Sequence, residues 1–234
     1  MSNIAIIPAR SGSKGLPDKN IKLLCGKPLM AYSVEVATRS GKFGKVFVST
    51  DSDRYAQIAK ECGASADFLR SDEMSSDTAG SWDAVREVVT ELEKRGEHYD
   101  AVMLLQPTSP LRTSEDIVNA FNLFEEKGAD AVVSVTETDH SPLWCNTLPP
   151  DLSMKGFSRP EYENIPRQQL PTYYRINGAI YLIRRKCLED DKMFVTNTYA
   201  YIMPQERSID IDTGLDFTVA ESLLGLNKTN ERYI

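Results

Sequence analysis

The sequence predicts a single α/β domain whose largely parallel sheet is covered by helices on both faces. Three observations carry this. Short apolar runs, Ile4–Ile7, Lys45–Thr50, Ala101–Gln106 and Ala131–Thr136, are nearly continuous rather than alternating, as in strands buried on both faces. Amphipathic segments separate these runs, so strand and helix alternate along the chain. The length, 234 residues, suits one such domain and can bury a core without disulfides or metal staples.

The elements follow in order. Asn3–Pro8 is a buried strand ended by proline. Pro28–Arg39 carries Leu29, Tyr32 and Val36 at helical spacing, with Gly41 beyond its end. Lys45–Thr50 is the next strand, with Asp51 at its carboxyl end, and Asp53–Cys62 is a helix stopped by Gly63. Asp67–Arg70 reads as a short strand and Ser81–Arg95 as a helix capped by Gly96, with Asp77 or Thr78 available to cap its start. After the strand Ala101–Gln106, Thr113 to Asp116 has capping-box spacing before a helix reaching Lys127. Ala131–Thr136, Ile176–Ile183 and Thr198–Met203 read as further strands, and Thr213 to Asp216 opens the last helix. Residues 138–175 break the pattern. Six prolines fall there, yet Leu143, Trp144, Leu148, Phe157 and Leu170 give the segment something to bury, so it reads as an inserted arm within the one domain 1–234.

Composition narrows the function classes. The formal net charge of −7 argues against a protein that grips nucleic acid. Against that background, residues 8–27 hold Arg10, Lys14, Lys19, Lys22 and Lys27 with Asp18 alone opposing them. Such a cluster suits a compact anion, and equally a solvated basic loop. Four cysteines without a CxxC pair and two histidines make no zinc site, and no signal peptide or membrane-length apolar run is visible, so a reducing, cytoplasmic setting is expected.

In a parallel α/β sheet ligands bind beyond the carboxyl ends of the strands, which directs attention to the loops after Ile7, Thr50, Arg70 and Gln106. The first, PARSGSKGLPDKN over Pro8–Asn20, offers Gly12 and Gly15 for close backbone approach, Arg10, Lys14 and Lys19 as cations and Ser13 as a hydroxyl. This is a cradle for a phosphate chain, although neither a Walker loop nor a dinucleotide fingerprint. Late in the chain, an extended SIDIDT over Ser208–Thr213 puts Asp210 and Asp212 on one face and Ile209 and Ile211 on the other. Two carboxylates on one face suit Mg²⁺ shared with phosphate oxygens, or simply face solvent and cap the next helix. LLQPTSPLR over Leu104–Arg112 aims Gln106 into the cleft and offers Arg112 to an anion, but a turn closed by Pro107 and Pro110 is the simpler reading. Arg167 and Arg175, near Gln168 and Gln169, could receive a carboxylate, or be solvated arginines of a surface arm.

Together the strings PARSGSKGLPDKN, VSTDS, LRSDEMSSDT, LLQPTSPLR, PRQQLP, RINGAIY and SIDIDT resemble the acylneuraminate cytidylyltransferase family, the CMP-sialic acid synthetases, in order and over nearly the whole chain. The resemblance implies a Rossmann-like three-layer α/β/α nucleotidyltransferase (nucleotide-diphospho-sugar transferase) fold and a homodimer built through the small inserted arm 138–175. It implies transfer of CMP from CTP to a free acidic nine-carbon sugar, with release of pyrophosphate. By the same resemblance Arg10, Ser13, Lys14, Lys19 and Asn20 would bind the triphosphate, with Arg10, Lys14 and Asp212 catalytic. Arg70 and Ser81 would contact the nucleotide. Gln106, Arg175 and Tyr181 would line the sugar pocket, Arg167 would reach the partner's pocket, and Asp210 and Asp212 would hold Mg²⁺, or Mn²⁺ in its place. Sialate enzymes of the family often place a basic residue after the Pro-Leu pair of the arm. Here Trp144 follows Pro142–Leu143, and a tryptophan cannot pair with a carboxylate, so legionaminate, pseudaminate or another bacterial nonulosonate stands beside N-acetylneuraminate. A cytidylyltransferase for 3-deoxy-octulosonate and a non-catalytic nucleotide-binding protein are the competing readings.

Overall fold

Asn3–Pro8 (β1) lies inside a six-stranded sheet, with Lys45–Ser49 (β4) on one side and Ala101–Leu104 (β5) on the other, both parallel to it. Two very short strands, Leu23–Leu24 (β2) and Lys27–Pro28 (β3), form a separate hairpin between β1 and β4 in sequence. Tyr174–Arg184 (β7) enters between β5 and Ala131–Glu137 (β6), antiparallel to both, and Thr198–Ile202 (β8) closes the edge parallel to β6. The order is β4-β1-β5-β7-β6-β8. This computed structural model describes residues 2–13, 15–75, 80–189, 194 and 197–230, the last four without their side chains.

The three-layer α/β architecture expected from the sequence is present. Leu29–Ser40 (α1), Asp53–Glu61 (α2) and Ser114–Glu126 (α5) share one core with Ala5, Ile7, Val48 and Met103. Ser81–Lys94 (α4), with the short Asp72–Ser75 (α3) before it, covers the opposite face, where Val85, Val88 and Leu92 pack on Ile4, Ile6 and Leu104. Gly214–Asn230 (α6) supplies Phe217 and Ala220 to a third cluster with Leu24, Leu29 and Ile211. Among the described residues no helix is long and apolar enough to cross a membrane.

The structure differs from the expected elements in three places. Asp67–Arg70 is not a strand. The chain bridges to β4 only at Phe47–Ser65 among the described residues, then keeps contact through Phe68 on Phe47 and Arg70 on Ser49, leaving Leu69 exposed. Ser208–Asp212 belongs to no strand among the described residues; Ile211 N donates to Thr108 O at 2.9 Å and its side chain fills the third cluster. The sheet is mixed, since β7 runs against both its neighbours.

Helix starts follow sequence chemistry. Thr113 caps α5 by accepting from Asp116 N at 3.2 Å, while Asp116 accepts from Thr113 N at 2.8 Å. The same Asp116, 1% exposed, receives Arg207 Nη2 at 2.8 Å and the Tyr201 hydroxyl at 3.0 Å. Burial alone would raise its pKa, but the hydrogen bonds from Arg207 and Thr113 outweigh this and hold it below the usual carboxylate range. A depressed folded value means the stabilisation is complete above the unfolded carboxylate pKa, about 3.9, and disappears as pH falls through the lower folded value. Asp116→Ala lowers the unfolding free energy by about 1–3 kcal/mol in urea titrations at neutral pH, because it removes the α5 capping box and the acceptor for Arg207 and Tyr201. The deficit relative to the wild type shrinks in titrations run below pH 4.

Candidate active site

A cleft of about 510 Å³ opens at the carboxyl ends of β1 and β5. The loop after β1 forms one wall, and its shape is set by bonds spread over the fold. Ser11 N donates to Asp51 Oδ1 at 2.8 Å, fixing the loop to the end of β4. Asn20 Nδ2 donates to Arg10 O at 3.0 Å, closing the loop on itself. Asp18 adopts a left-handed backbone (φ 53°) and accepts from the Tyr55 hydroxyl at 2.9 Å. Burial first, then that bond to Asp18, push the phenol pKa up, so Tyr55 stays a neutral donor. Arg10, Ser13, Lys19 and Asn20 all line the cleft.

Arg70 and Ser81 line it from the α4 side. Arg70 is anchored by Nε to Ser49 Oγ at 3.1 Å and by Nη2 to Ser49 O at 2.9 Å. Burial pulls its pKa down, Asp51 and Glu87 oppose this, and Arg10 adds to it. Two guanidiniums thus act on each other in one cleft with Asp51 behind them, an arrangement suited to a polyanion.

The floor comes from the turn after β5. Gln106, Pro107 and Thr108 line the cleft. Arg112 does not reach it. It is 2% exposed and spends its guanidinium inside, with Nη2 on Ser33 Oγ at 2.8 Å and on Gln106 O at 3.2 Å. Burial lowers its pKa and Asp116 opposes, but a guanidinium remains charged in protein interiors. Arg112 therefore staples the Gln106 turn from beneath.

The acidic residues arrive from the loop before α6. Asp212, with its side chain 74% exposed, lines the cleft and pairs with Lys19 Nζ at 3.0 Å, while the same ammonium donates to Ile211 O at 2.6 Å. Gly15 packs so closely that a Cβ there would lie 2.8 Å from Asp212 O. Asp210 sits deeper. Its Oδ1 is buried with no hydrogen-bond partner, and its Oδ2 lies over Gly178 beside the Gln106 amide. Burial first pushes the Asp210 carboxyl up; Asp212 adds to the rise, while Thr108, Lys19 and Arg175 act the other way. An orphaned carboxylate oxygen beside a second carboxylate is a donor set suited to a hard cation that takes its remaining ligands from phosphate and water. Among the described residues no group of three or more His, Cys, Asp or Glu could hold a metal unaided.

Tyr181 lies outside the lining, packed edge-on against Trp82 with ring centroids 6.0 Å apart, and Asp210 contributes to raising its pKa after burial. Arg175 donates to Ser208 O at 3.3 Å. Arg167 lies in the arm, on a separate cavity of about 410 Å³ with Glu137 and Tyr173, and within one chain it is not brought to the cleft. Lys14, together with Asp77 and Thr78, lies outside the described residues. Sequence reasoning missed Asp51, Thr108 and Gly178. Gly178, at φ 76°, had a signal, being a glycine inside a strand.

Fold and cleft define an α/β nucleotidyltransferase architecture, with the ligand site where the strands end. The chain belongs to the cytidylyltransferase family, whose model matches residues 4–155. It is 40% identical over 223 residues to an N-acylneuraminate cytidylyltransferase of Streptococcus agalactiae serotype V, an alignment covering 93% of this chain and 52% of that protein. It is 36% identical over 236 residues to a CMP-N,N'-diacetyllegionaminic acid synthase of Legionella pneumophila, covering 97% of this chain and 98% of that one. The chain thus spans about half the length of the first relative and nearly all of the second. The solved structure of a CMP:2-keto-3-deoxy-manno-octonic acid synthetase complexed with CTP superposes with a TM-score of 0.73 at 18% identity, covering 97% of this chain and 100% of that one, a likeness of fold.

Proposed function

We propose that the chain transfers CMP from CTP to the anomeric hydroxyl of a free nonulosonic acid. The hydroxyl oxygen bonds to the α-phosphorus, the bond from that phosphorus to the bridging oxygen breaks, and pyrophosphate leaves with the electron pair; the hydroxyl proton passes to water. The observation that carries this reading is the 3.0 Å pairing of Lys19, from the first glycine-bearing loop, with Asp212 at one cleft. A triphosphate carries roughly three to four negative charges, so cations and carboxylate-held metal must meet on it.

In this reading Arg10, Ser13, Lys14, Lys19 and Asn20 hold the phosphates, and Arg70 and Ser81 the rest of the nucleotide. Gln106, Arg175 and Tyr181 receive the sugar. Asp210 and Asp212 hold Mg²⁺, for which Mn²⁺ can substitute. When bound, the ion supplies charge neutralisation and lowers the pKa of a hydroxyl or water. Positioning by the anchored loop and charge stabilisation by its cations do most of the remaining work.

The arm 138–175 is the dimer contact in the same reading. Trp144, Leu148, Leu152 and Met154 expose apolar surface along it, which a second copy would cover, bringing Arg167 to the partner's cleft. Four free cysteines suit a reducing cytoplasm. The legionaminate relative and the absence of a cation at Trp144 keep legionaminate, pseudaminate or another bacterial nonulosonate beside N-acetylneuraminate as the sugar.

The test is pyrophosphate release from CTP and Mg²⁺ with N-acetylneuraminate, legionaminate, pseudaminate and 3-deoxy-octulosonate, run on a preparation whose mass is read by sedimentation. Release with one of the first three by a dimer is expected. Release with 3-deoxy-octulosonate alone moves the assignment to that sugar. CTP binding without release in any arm leaves a non-catalytic nucleotide-binding protein.

A further inference from the structure

Behind the cleft lies a buried polar relay through Asn177, and its member Ser208 also accepts from Arg175. Asn177 in β7 is 1% exposed and uses its whole amide. Its Nδ2 donates to Ser208 Oγ at 2.9 Å and to Met203 Sδ at 3.4 Å. Its Oδ1 accepts from Ser134 Oγ at 2.6 Å and from Ala179 N at 3.2 Å. The backbone N–H of Ala179 can only donate, so it fixes which way the amide points. Ser134 and Ser208 are both fully buried; the Ser208 hydroxyl goes on to Pro204 O at 2.8 Å and the Ser134 hydroxyl receives Ile180 N at 2.7 Å. The relay ties β6, β7 and the loop after β8 together at the point where the β6–β7 register shifts, between Val133 and Val135.

The next residue is Gly178, whose left-handed backbone leaves open the space where Gln106 and Asp210 meet. A Cβ there would strike Gln106 Oε1 and lie 3.7 Å from Asp210 Oδ2. One dipeptide thus fixes the aspartate loop through Ser208, two residues before Asp210, and seats the Asp210 carboxylate itself. Asp210 Oδ1 has no hydrogen-bond partner; beside the hydrogen bond from Thr108, the carboxylate takes its placement from the backbone that the relay anchors. A fully satisfied buried network is rigid enough to do this.

We propose that Ser208 and Asn177 are positioning residues, which pre-place Asp210 against Gln106 before any ligand arrives. The inference rests on the reading of Asp210 and Asp212 as the metal-holding pair. Groups that orient a metal's ligands change metal affinity by about 10–100-fold when removed.

The experiment is a Mg²⁺ titration of pyrophosphate release in Ser208→Ala, with amide hydrogen exchange read over residues 203–212. The Mg²⁺ needed for half-maximal rate rises about tenfold or more, while KM for CTP at saturating Mg²⁺ stays within about twofold. Exchange quickens in 203–212 and not in β1. Asn177→Ala does the same where it folds, but Ser208→Ala, which deletes one hydroxyl, carries the test. Faster exchange with an unchanged Mg²⁺ requirement makes the relay a merely structural contact and overturns the proposal. Asp210→Asn in the same titration separates the two levels. If it raises the Mg²⁺ requirement and Ser208→Ala does not, only the positioning role fails. If Asp210→Asn leaves the requirement at the wild-type value, the metal-holding reading fails and the positioning role with it.

Discussion

Asp212→Ala lowers turnover by about a hundredfold or more with the fold intact, measured as kcat for pyrophosphate release beside the thermal midpoint. The two readouts separate because of where Asp212 sits. Its side chain is 74% exposed, so stability has little to lose. Its backbone contacts survive the change: Asp212 N still donates to Asp216, and Asp212 O still abuts Gly15. Lys19 loses one partner but keeps Ile211 O at 2.6 Å, so the loop after β1 keeps its seat. What disappears is one of two carboxylates available to a divalent ion. Turnover near the wild-type value would remove Asp212 from the metal site.

Gly178→Ala should be nearly as damaging, by a different route. At φ 76° any other residue carries backbone strain, on the order of 1–3 kcal/mol. The added methyl also enters the space of the Gln106 amide, beside Asp210. Displacement of reacting groups by about an ångström can cost about a hundredfold in rate, and a loss of that size is expected here. The phosphate loop is untouched, so CTP binding measured by calorimetry persists while kcat falls and KM for the sugar rises. Wild-type kinetics in this variant would show that Gln106 and Asp210 do not act from this seat.

Much of this site was legible in the sequence, and the parts that were not share a physical cause. The strands of β1 and β5 announce themselves as apolar runs because both their faces are covered. The Thr113–Asp116 box and the glycines after α2 and α4 mark helix ends, since their chemistry is local. Strand direction is not local. An apolar run reads the same either way, so nothing in Ile176–Ile183 reveals that β7 runs against its neighbours. Arg112 looked like a possible anion ligand because sequence alone does not show which face of a turn a guanidinium takes; tertiary packing buries it. Asp210 and Asp212 shared a face on the assumption of an extended strand. The loop instead half-buries Asp210 and exposes Asp212, a difference that follows from the seat of Asp210 on Gly178 and the bond from Ile211 to Thr108.

The pairing of Lys19 with Ile211 and Asp212 joins residues 192 and 193 apart in the chain. A ribosome-bound chain that has emerged only through β6 already carries Arg10, Lys19 and Arg70, with Asp51 and Glu87 acting on Arg70, yet lacks Asp210 and Asp212. The loop after β1 therefore meets the aspartates only once β7 has entered between β5 and β6 and α6 has packed against Leu24 and Leu29. Long-range closure of this kind is slow, so the cleft gains its acidic wall late in folding.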